Sequence, residues 1–375
     1  MDPPSIRVGE EQGVTFVELF FDLVFVFAVT QVTGVLAADL TGGGVLRALI
    51  VFWLVWWAWT QFTWSLNQAD TEHVTVQLIT LVAAGLAFMM ATTVPAVTST
   101  TGWVFAASYV AVRVAGIALQ WRLAADDAEW SAAVRRWTAF SSVGLLAVGA
   151  AAVLDPGQRF AALGVAAVFD VGAALQAGSR RWRIFPGHFS ERHGLFVIIA
   201  LGESLIVAGA GASDHEPSAE LLAVTLAGLV AVCGLWWTYF GWPRRTVEAG
   251  LAQQTAAEVG RFARDAYSFG HFPIIVGVIG FAVAIEEAVA HPGDPLDPHG
   301  VWAAVVGGGL FVGGTGVAVA RATLRVPIMR LTVVGLLVVA IPLLLMLPAW
   351  GALALIAALT VGLAVVERPL AAVAT

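Results

Sequence analysis

Apolar stretches of about 20 residues recur from one end of this chain to the other. Each is long enough to cross the hydrocarbon core of a bilayer as an α-helix. Of the 375 residues, 59% are hydrophobic and only 12% are charged, whereas soluble domains carry about 25% charged residues. The sequence therefore predicts an all-α, polytopic membrane helix bundle and excludes a soluble globular domain.

We predict about twelve transmembrane helices from these stretches. Their approximate ranges are 16–37, 45–66, 74–96, 102–122, 137–154, 159–177, 194–212, 219–241, 268–290, 301–320, 328–347 and 349–366. The first stretch contains Glu18 and Asp22, and acidic residues outnumber Arg7 in the segment before it. A signal peptide instead has a basic start and an uncharged apolar region. We interpret the first stretch as an uncleaved transmembrane helix.

The arginines orient these helices in the bilayer. With both termini placed in the cytoplasm, sixteen of the 19 arginines fall on the cytoplasmic side. Arg47 and Arg159 fall outside, and Arg113 lies within a helix. Because basic residues are retained on the cytoplasmic side of membranes, this distribution favours cytoplasmic termini.

The composition excludes several kinds of chemistry. The chain contains no lysine, so it cannot form a retinal or pyridoxal phosphate Schiff base or a Walker-type phosphate loop. A net charge of −7 without a basic tract excludes nucleic acid as a partner. The single cysteine, Cys233, lies in an apolar stretch. We expect no cofactor and no metal site.

The two sets of six predicted helices contain similar strings in the same order. Trp59–Trp64 aligns with Trp237–Trp242, and Val143–Leu146 aligns with Val334–Leu337. We therefore predict a six-plus-six duplication, with a first half at 1–178, a cytoplasmic linker at 179–193 and a second half at 194–375. An even number of helices gives both halves one orientation, and transporters of this type bind their substrates between the halves.

Charged side chains inside the predicted helices are the main functional candidates, since each costs about 2.5–3.5 kcal/mol to insert unless it is paired or hydrated. These residues are Glu18, Asp22, Arg113, Asp170 and Glu203. Four carboxylates then share one arginine, so the excess requires protons or cations. Glu203 is the strongest candidate because Ser204 and several small residues surround it. Alternatively, Glu18 caps its helix, and Arg113 forms a structural ion pair.

Two further groups of polar residues lie near helix ends. Arg264, Tyr267 and His271 have a spacing that places them on one helical face, where His271 could relay protons. Interfacial anchoring explains the same residues. We assign Arg192 and its neighbours His188 and His193 to a cytoplasmic loop, where arginine is expected from topology alone.

Several of these strings resemble the bacterial low temperature requirement protein A (LtrA) family. The strings are Val17–Val26, Glu191–Phe196 continuing to Ser204, Trp236–Phe240 and Arg264–His271. The resemblance spans nearly the whole chain and implies a multi-pass bacterial inner-membrane protein, without implying a reaction. Glu18–Phe25 also resembles the first-helix motif of a family of endolysosomal and bacterial potassium channels, although Phe21 replaces the serine of that motif.

These features favour a proton- or cation-coupled secondary transporter without catalytic residues. Its expected partners are the lipid bilayer and an unidentified small solute or ion, and homo-oligomerisation is left open. An ion channel is one alternative. The other is a membrane-embedded enzyme that acts on lipids or cell-envelope precursors, for which only the residues near His188 and His271 offer catalytic groups.

Overall fold

The chain folds into α-helices in the computed structural model, which describes residues 6–9, 11–177 and 182–368. No strand occurs in these ranges. The helices are α1 Phe16–Ala38, α2 Gly42–Leu66, α3 Val74–Thr92, α4 Trp103–Ala124, α5 Ala128–Ala151, α6 Pro156–Ala177, α7 Pro186–Ser213, α8 Ala219–Phe240, α9 Pro243–Ala252, α10 Val259–Ala263, α11 His271–Ala290, α12 Pro298–Thr323, α13 Ile328–Val339, α14 Ile341–Leu344 and α15 Ala349–Val366.

Ten helical segments within the described ranges are long and apolar enough to cross a membrane. Two of them are composite, because α8 continues through α9 and α10 continues through a π-helix at Arg264–Phe269 into α11. The prediction of an all-α polytopic bundle is therefore confirmed. Each of the twelve predicted stretches contains a helix, but α5 is not apolar enough and α13 is not long enough to belong to the ten.

Both exceptions, α5 and α13, have local causes. Helix α5 carries Arg135 and Arg136 on its exposed surface, so only its second half is continuously apolar. Helix α13 ends at Val339, three residues before Pro342. Proline lacks the N–H that would continue the helical hydrogen bonds, and α14 starts as a separate turn.

Polar side chains define where several helices begin. The Oδ1 atom of Asp127 accepts a hydrogen bond from the Trp130 N–H at 2.9 Å, and Oδ1 of Asp297 accepts one from the Gly300 N–H at 2.8 Å. The Ser218 hydroxyl accepts one from the Leu221 N–H at 3.0 Å. These caps satisfy backbone donors that the first helical turn leaves unpaired.

The chain divides into two compact units. The first comprises Met1–Phe196 and Leu251–Arg264, and the second comprises Val197–Gly250 and Asp265–Thr375. In the first unit, α1 packs on α2 and α3, α2 packs on α4 and α6, and α4 and α5 pack on their successors in the chain. In the second unit, the main helix pairs are α11 with α12, α8 with α15, and α12 with α13.

Helices α11 and α12 approach each other through glycines. A Cβ atom at Gly277 would lie 2.6 Å from both the Gly307 carbonyl oxygen and the Phe311 nitrogen. We expect Gly277→Ala to lower the free energy of unfolding by about 1–3 kcal/mol, because backbone atoms cannot yield as side chains do. Thermal unfolding of the purified protein in detergent measures this loss.

Gly335 on α13 provides the matched control for this substitution. A Cβ atom there meets no atom within 4 Å, so Gly335→Ala should be neutral or stabilising by up to about 1 kcal/mol through helix propensity. Equal unfolding temperatures for the two variants would refute the proposed close packing of α11 on α12.

Helix α7 begins earlier than the sequence predicted. It starts at Pro186, where proline suits the first helical turn, so residues 186–193 are helical rather than part of a linker. The assignment of His188, Arg192 and His193 to a cytoplasmic loop was wrong, because all three side chains are buried in the first unit. Residues 179–181 of the predicted linker lie outside the described residues.

Candidate functional site

The largest buried charged cluster of the first unit joins α1 to the beginning of α7. It comprises Glu18, Asp22, His188 and Arg192, and each of these side chains is essentially inaccessible to solvent. Glu18 and Asp22 are one helical turn apart and face the same side of α1. His188 and Arg192 have the same spacing on α7, so two charged stripes lie against each other.

Glu18 has two roles in this cluster. Its Oε2 atom accepts hydrogen bonds from the backbone N–H and the hydroxyl of Thr15, both at 3.0 Å, which caps α1. The same carboxylate lies 3.1 Å from His188 Nε2 and 3.4 Å from an Arg192 guanidinium nitrogen. The capping role expected as an alternative therefore coexists with buried ion pairing.

Asp22 is held by two donors from different helices. Trp59 Nε1 on α2 donates to Asp22 Oδ1 at 2.7 Å, and an Arg192 guanidinium nitrogen donates to the same oxygen. The guanidinium carbon of Arg192 also lies 5.8 Å from the centre of the Trp59 ring, within the range of a cation–π interaction. Trp59 thus contacts both members of the ion pair.

A second buried cluster of the first unit surrounds Arg113. Its guanidinium group makes bonds of 3.1 Å to both carboxylate oxygens of Asp170 on α6. The Tyr109 hydroxyl donates to Asp170 at 3.1 Å, and it also accepts from Arg113. The Gln61 side chain accepts from Arg113 Nε and donates to the Arg113 carbonyl oxygen at 2.9 Å.

Helix α2 connects these two clusters. Trp59 contacts the first cluster and Gln61 contacts the second, and only Thr60 separates them in the chain. Both residues belong to the string Trp59–Trp64 that recurs on α8. A shift of α2 along its axis would therefore disturb both buried ion networks at once.

The Arg113 pair is expected to matter for stability. Arg113→Ala would leave the Asp170 carboxylate buried without its cation, and breaking a buried pair in this way typically costs about 3–5 kcal/mol. Chemical or thermal unfolding in detergent measures the change in unfolding free energy. Arg122→Ala is the matched control, because Arg122 is exposed on the same helix; similar losses for both variants would contradict the prediction.

Glu203 and Ser204 lie in the second unit, within α7. The Glu203 side chain is half-buried, and none of the described residues forms an ion pair with it. Ser204 is buried, and its hydroxyl donates to the Ala200 carbonyl oxygen of its own helix at 3.3 Å. Neither residue belongs to a buried ion cluster, whereas Glu18, Asp22, Arg113 and Asp170 all do.

The π-helix at Arg264–Phe269 includes the first two residues of the predicted Arg264–Tyr267–His271 group. Tyr267 and His271 stack with ring centres 5.2 Å apart, and the Tyr239 hydroxyl lies 2.7 Å from His271 Nε2. These residues belong to the second unit. Arg264 belongs to the first unit, where it donates to the Leu175 carbonyl oxygen at 3.4 Å.

Sequence reasoning missed several of the buried partners. Arg192 and His188 were assigned to a loop, and Gln61 and Tyr109 were not considered. A third buried pair, Arg330 with Glu367 at 2.6 Å, was also not predicted. The string Glu191–Phe196, which resembles the family, was the one sequence signal that marked Arg192.

Carboxylates packed around a guanidinium group can bind and release protons or stabilise helix packing. Within the described residues, no group of three or more His, Cys, Asp and Glu side chains is arranged to hold a metal ion.

Comparisons with known proteins identify the family of the chain. The family model described as bacterial low temperature requirement A protein (LtrA) matches residues 13–365. An uncharacterized protein of Rhizobium meliloti (strain 1021) is 30% identical over 320 residues, which cover 82% of this chain and 77% of that protein. No solved structure matches the chain. Because the matched region includes both buried clusters and nearly all of the helices, the chain belongs to the bacterial low temperature requirement A (LtrA) family.

Proposed function

We propose that this multi-pass membrane protein is a secondary transporter coupled to protons or cations, and that the cluster of Glu18, Asp22, His188 and Arg192 is its coupling site. The observation that carries the proposal is the charge balance of this cluster. Two carboxylates share one guanidinium group, and all three groups are buried. Ionisable groups inside membrane helices are costly and usually mark an ion pathway.

The cluster differs from a purely structural ion pair in its balance of charges. Arg113 and Asp170 balance each other, so that pair needs no further ion. The α1–α7 cluster has one carboxylate more than it has guanidinium groups, so full ionisation leaves a negative charge that a low-dielectric surrounding disfavours. A site that gains and loses a positive ion can couple transport to an ion gradient, whereas a balanced ion pair serves to hold helices in position.

We also propose the duplication and orientation expected from the sequence. Several contacts between helices that are predicted to be equivalent recur in the two units. Helix α2 packs on α6 and α8 packs on α15, while α3 packs on α4 and α11 packs on α12. This pattern supports a six-plus-six duplication, and the first boundary between the compact units, at Phe196, lies close to the proposed junction, although Leu251–Arg264 also belongs to the first unit. The distribution of arginines supports cytoplasmic termini.

Uptake into proteoliposomes tests the transport function directly. The probe is a defined mixture of amino acids, carboxylates, sugars and quaternary amines, offered under an inward proton or sodium gradient and analysed by mass spectrometry. We expect accumulation of at least one class of solute in wild-type vesicles under a gradient, and none when the gradient is collapsed. Equal solute content with and without gradients would overturn the proposal.

The same assay tests the site that the sequence favoured. Glu203→Gln is predicted from sequence to preserve folding and to abolish coupled uptake, and Glu216→Gln, which changes an exposed acid of the same unit, is its control. Full uptake by Glu203→Gln would exclude Glu203 as a further coupling residue and leave the proposal for the α1–α7 cluster unaffected.

A further inference from the structure

The hydrogen bonds around Asn67 fix the protonation of His188. The Phe185 N–H donates to Asn67 Oδ1 at 2.9 Å, and Asn67 Nδ2 donates to the Phe185 carbonyl oxygen at 3.0 Å. Since a backbone N–H can only donate, these contacts identify which end of the amide is oxygen. Asn67 Nδ2 then faces His188 Nδ1 at 3.1 Å, so Nδ1 must accept a hydrogen bond.

It follows that His188 is a neutral donor to Glu18. With Nδ1 acting as an acceptor, the single ring proton is on Nε2, which donates to Glu18 Oε2 at 3.2 Å. A second proton on Nδ1 would point at the hydrogens of the Asn67 amide. His188 therefore positions Glu18 and adds no positive charge to the cluster.

Glu18 is surrounded by donors, which favours its charged form. It accepts from the Thr15 N–H, the Thr15 hydroxyl and His188, and it lies 3.4 Å from the Arg192 guanidinium group. Carboxylates with this many donors remain ionised. The ion that neutralises the cluster must then bind at Asp22.

Asp22 Oδ2 is the oxygen available for this purpose, because Glu18 Oε1, which also forms no hydrogen bond with a described residue, lies 3.1 Å from His188 Nε2 and 3.4 Å from the Arg192 guanidinium group. Oδ1 accepts from Trp59 and Arg192, whereas Oδ2 is buried and forms no hydrogen bond with any described residue. Within the described ranges, Arg192 is the one cation in ion-pair contact with Asp22. Glu11 faces the cluster from the segment before α1 and accepts from the His188 N–H, so it adds negative charge.

We infer that the coupling ion is a proton, and that Asp22 Oδ2 carries it while Asn67 holds His188 as a neutral donor to Glu18. This inference rests on the proposed function. A sodium or potassium ion is disfavoured because it would lie against the Arg192 guanidinium group, which already contacts both carboxylates. On loading, a hydronium ion transfers a proton to Oδ2, and the new O–H bond makes Asp22 a carboxylic acid. The remaining water molecule leaves. On release, that bond breaks and a water molecule takes the proton.

Infrared spectroscopy of the full-length protein in lipid tests where the proton is located. We expect the carbonyl stretching band of a protonated carboxylic acid at neutral pH. Because the chain has 26 acidic residues, isotope labels and variants assign the band. The frequency of the band should shift when aspartate side chains carry ¹³C and should not change when glutamate side chains carry ¹³C. The band should also be lost in Asp22→Asn and kept in Asp214→Asn, which changes an exposed acid.

The labelled wild-type protein keeps this test independent of how the variants fold. A band that shifts with labelled glutamate alone, or one that Asp22→Asn leaves unchanged, would overturn the assignment. The band is measured without any transport assay. If no solute is transported but the band follows Asp22, the proposed function fails and the proton site stands. If solutes are transported but the band does not change in Asp22→Asn, the proposed function stands and the proton site at Asp22 fails.

The role of His188 has a separate readout. His188→Leu removes the donor to Glu18 and should lower the response measured here, which is solute uptake into proteoliposomes under a proton gradient. His188→Gln, which keeps an N–H donor, should restore this uptake. The dependence of that response on pH should keep its midpoint in His188→Gln, since the proton resides on Asp22. Loss of the response in both variants to the same extent would identify His188 as a proton carrier and refute its positioning role.

Discussion

Arg192→Leu is expected to lower the free energy of unfolding by about 3–5 kcal/mol, the usual cost of stranding a buried charge. The substitution removes the one guanidinium group that contacts both Glu18 and Asp22. It also removes the cation that lies over Trp59. Unfolding of the purified protein in detergent, followed by heat or denaturant, measures the loss. Arg183→Leu, at an exposed position just before α7, is the matched control and should unfold like the wild-type protein.

Neutralising the acids should rescue this variant. When Glu18→Gln and Asp22→Asn accompany Arg192→Leu, the protein no longer buries an unpaired charge, and an unsatisfied neutral amide costs less than an unsatisfied charged group. Most of the lost unfolding free energy should therefore return. A triple variant as unstable as Arg192→Leu would show that packing of the arginine, and not charge pairing, determines the stability of this region.

Asp22→Asn is expected to abolish gradient-driven uptake while the protein remains folded. The asparagine amide has nearly the shape of a protonated carboxyl group, and its oxygen can accept from Trp59 and Arg192 as Asp22 Oδ1 does. It cannot release a proton, so the cluster stays permanently neutral. Uptake into proteoliposomes, together with monodispersity in gel filtration, measures both parts of the prediction.

The control for this prediction is Asp214→Asn in the same vesicles. Asp214 is exposed and lies in the other compact unit, so its substitution should leave uptake at the wild-type level. Uptake by Asp22→Asn at the rate of the Asp214 control would contradict the assignment of Asp22 to the coupling site. A variant that aggregates would instead be replaced by Asp22→Glu, which keeps an ionisable group and should retain gradient-dependent uptake.

The fold was largely predictable because bilayer thickness imposes one strong constraint on the sequence. A stretch of about 20 apolar residues has few alternatives to a membrane helix, and ten of the twelve predicted stretches lie in helical segments that can cross a membrane. Shortfalls occurred where local chemistry competes with that rule, at the exposed arginines of α5 and at Pro342 after α13. Helix α7 extended past its apolar stretch because buried partners compensate the charged side chains of its first turns.

The candidate site was only partly predictable from the sequence. Charged residues within an apolar stretch, such as Glu18 and Asp22, are conspicuous because their insertion is costly. Their partner Arg192 is 170 residues away from Asp22 in the chain and stands beside polar residues, so the same rule attributes it to a loop. Pairing between distant helices depends on tertiary packing, which no local pattern encodes.

The charge balance expected from the sequence also changes, because it depends on which distant helices pair. Four acids appeared to share Arg113, whereas Arg113 pairs with Asp170 and Arg192 serves Glu18 and Asp22. The excess of negative charge therefore persists, but it is located in the α1–α7 cluster. This relocation moves the main functional hypothesis from Glu203 to Asp22.

The most direct test of the account is the charge displaced when the pH changes on one side of the membrane. Proteoliposomes adsorbed on a solid-supported membrane are exposed to a rapid acid jump without any solute, and the transient current is recorded. The account predicts a current in the wild-type protein and in Asp214→Asn that is absent in Asp22→Asn. An equal current in Asp22→Asn and wild type, or no current in either, would contradict a proton site at Asp22.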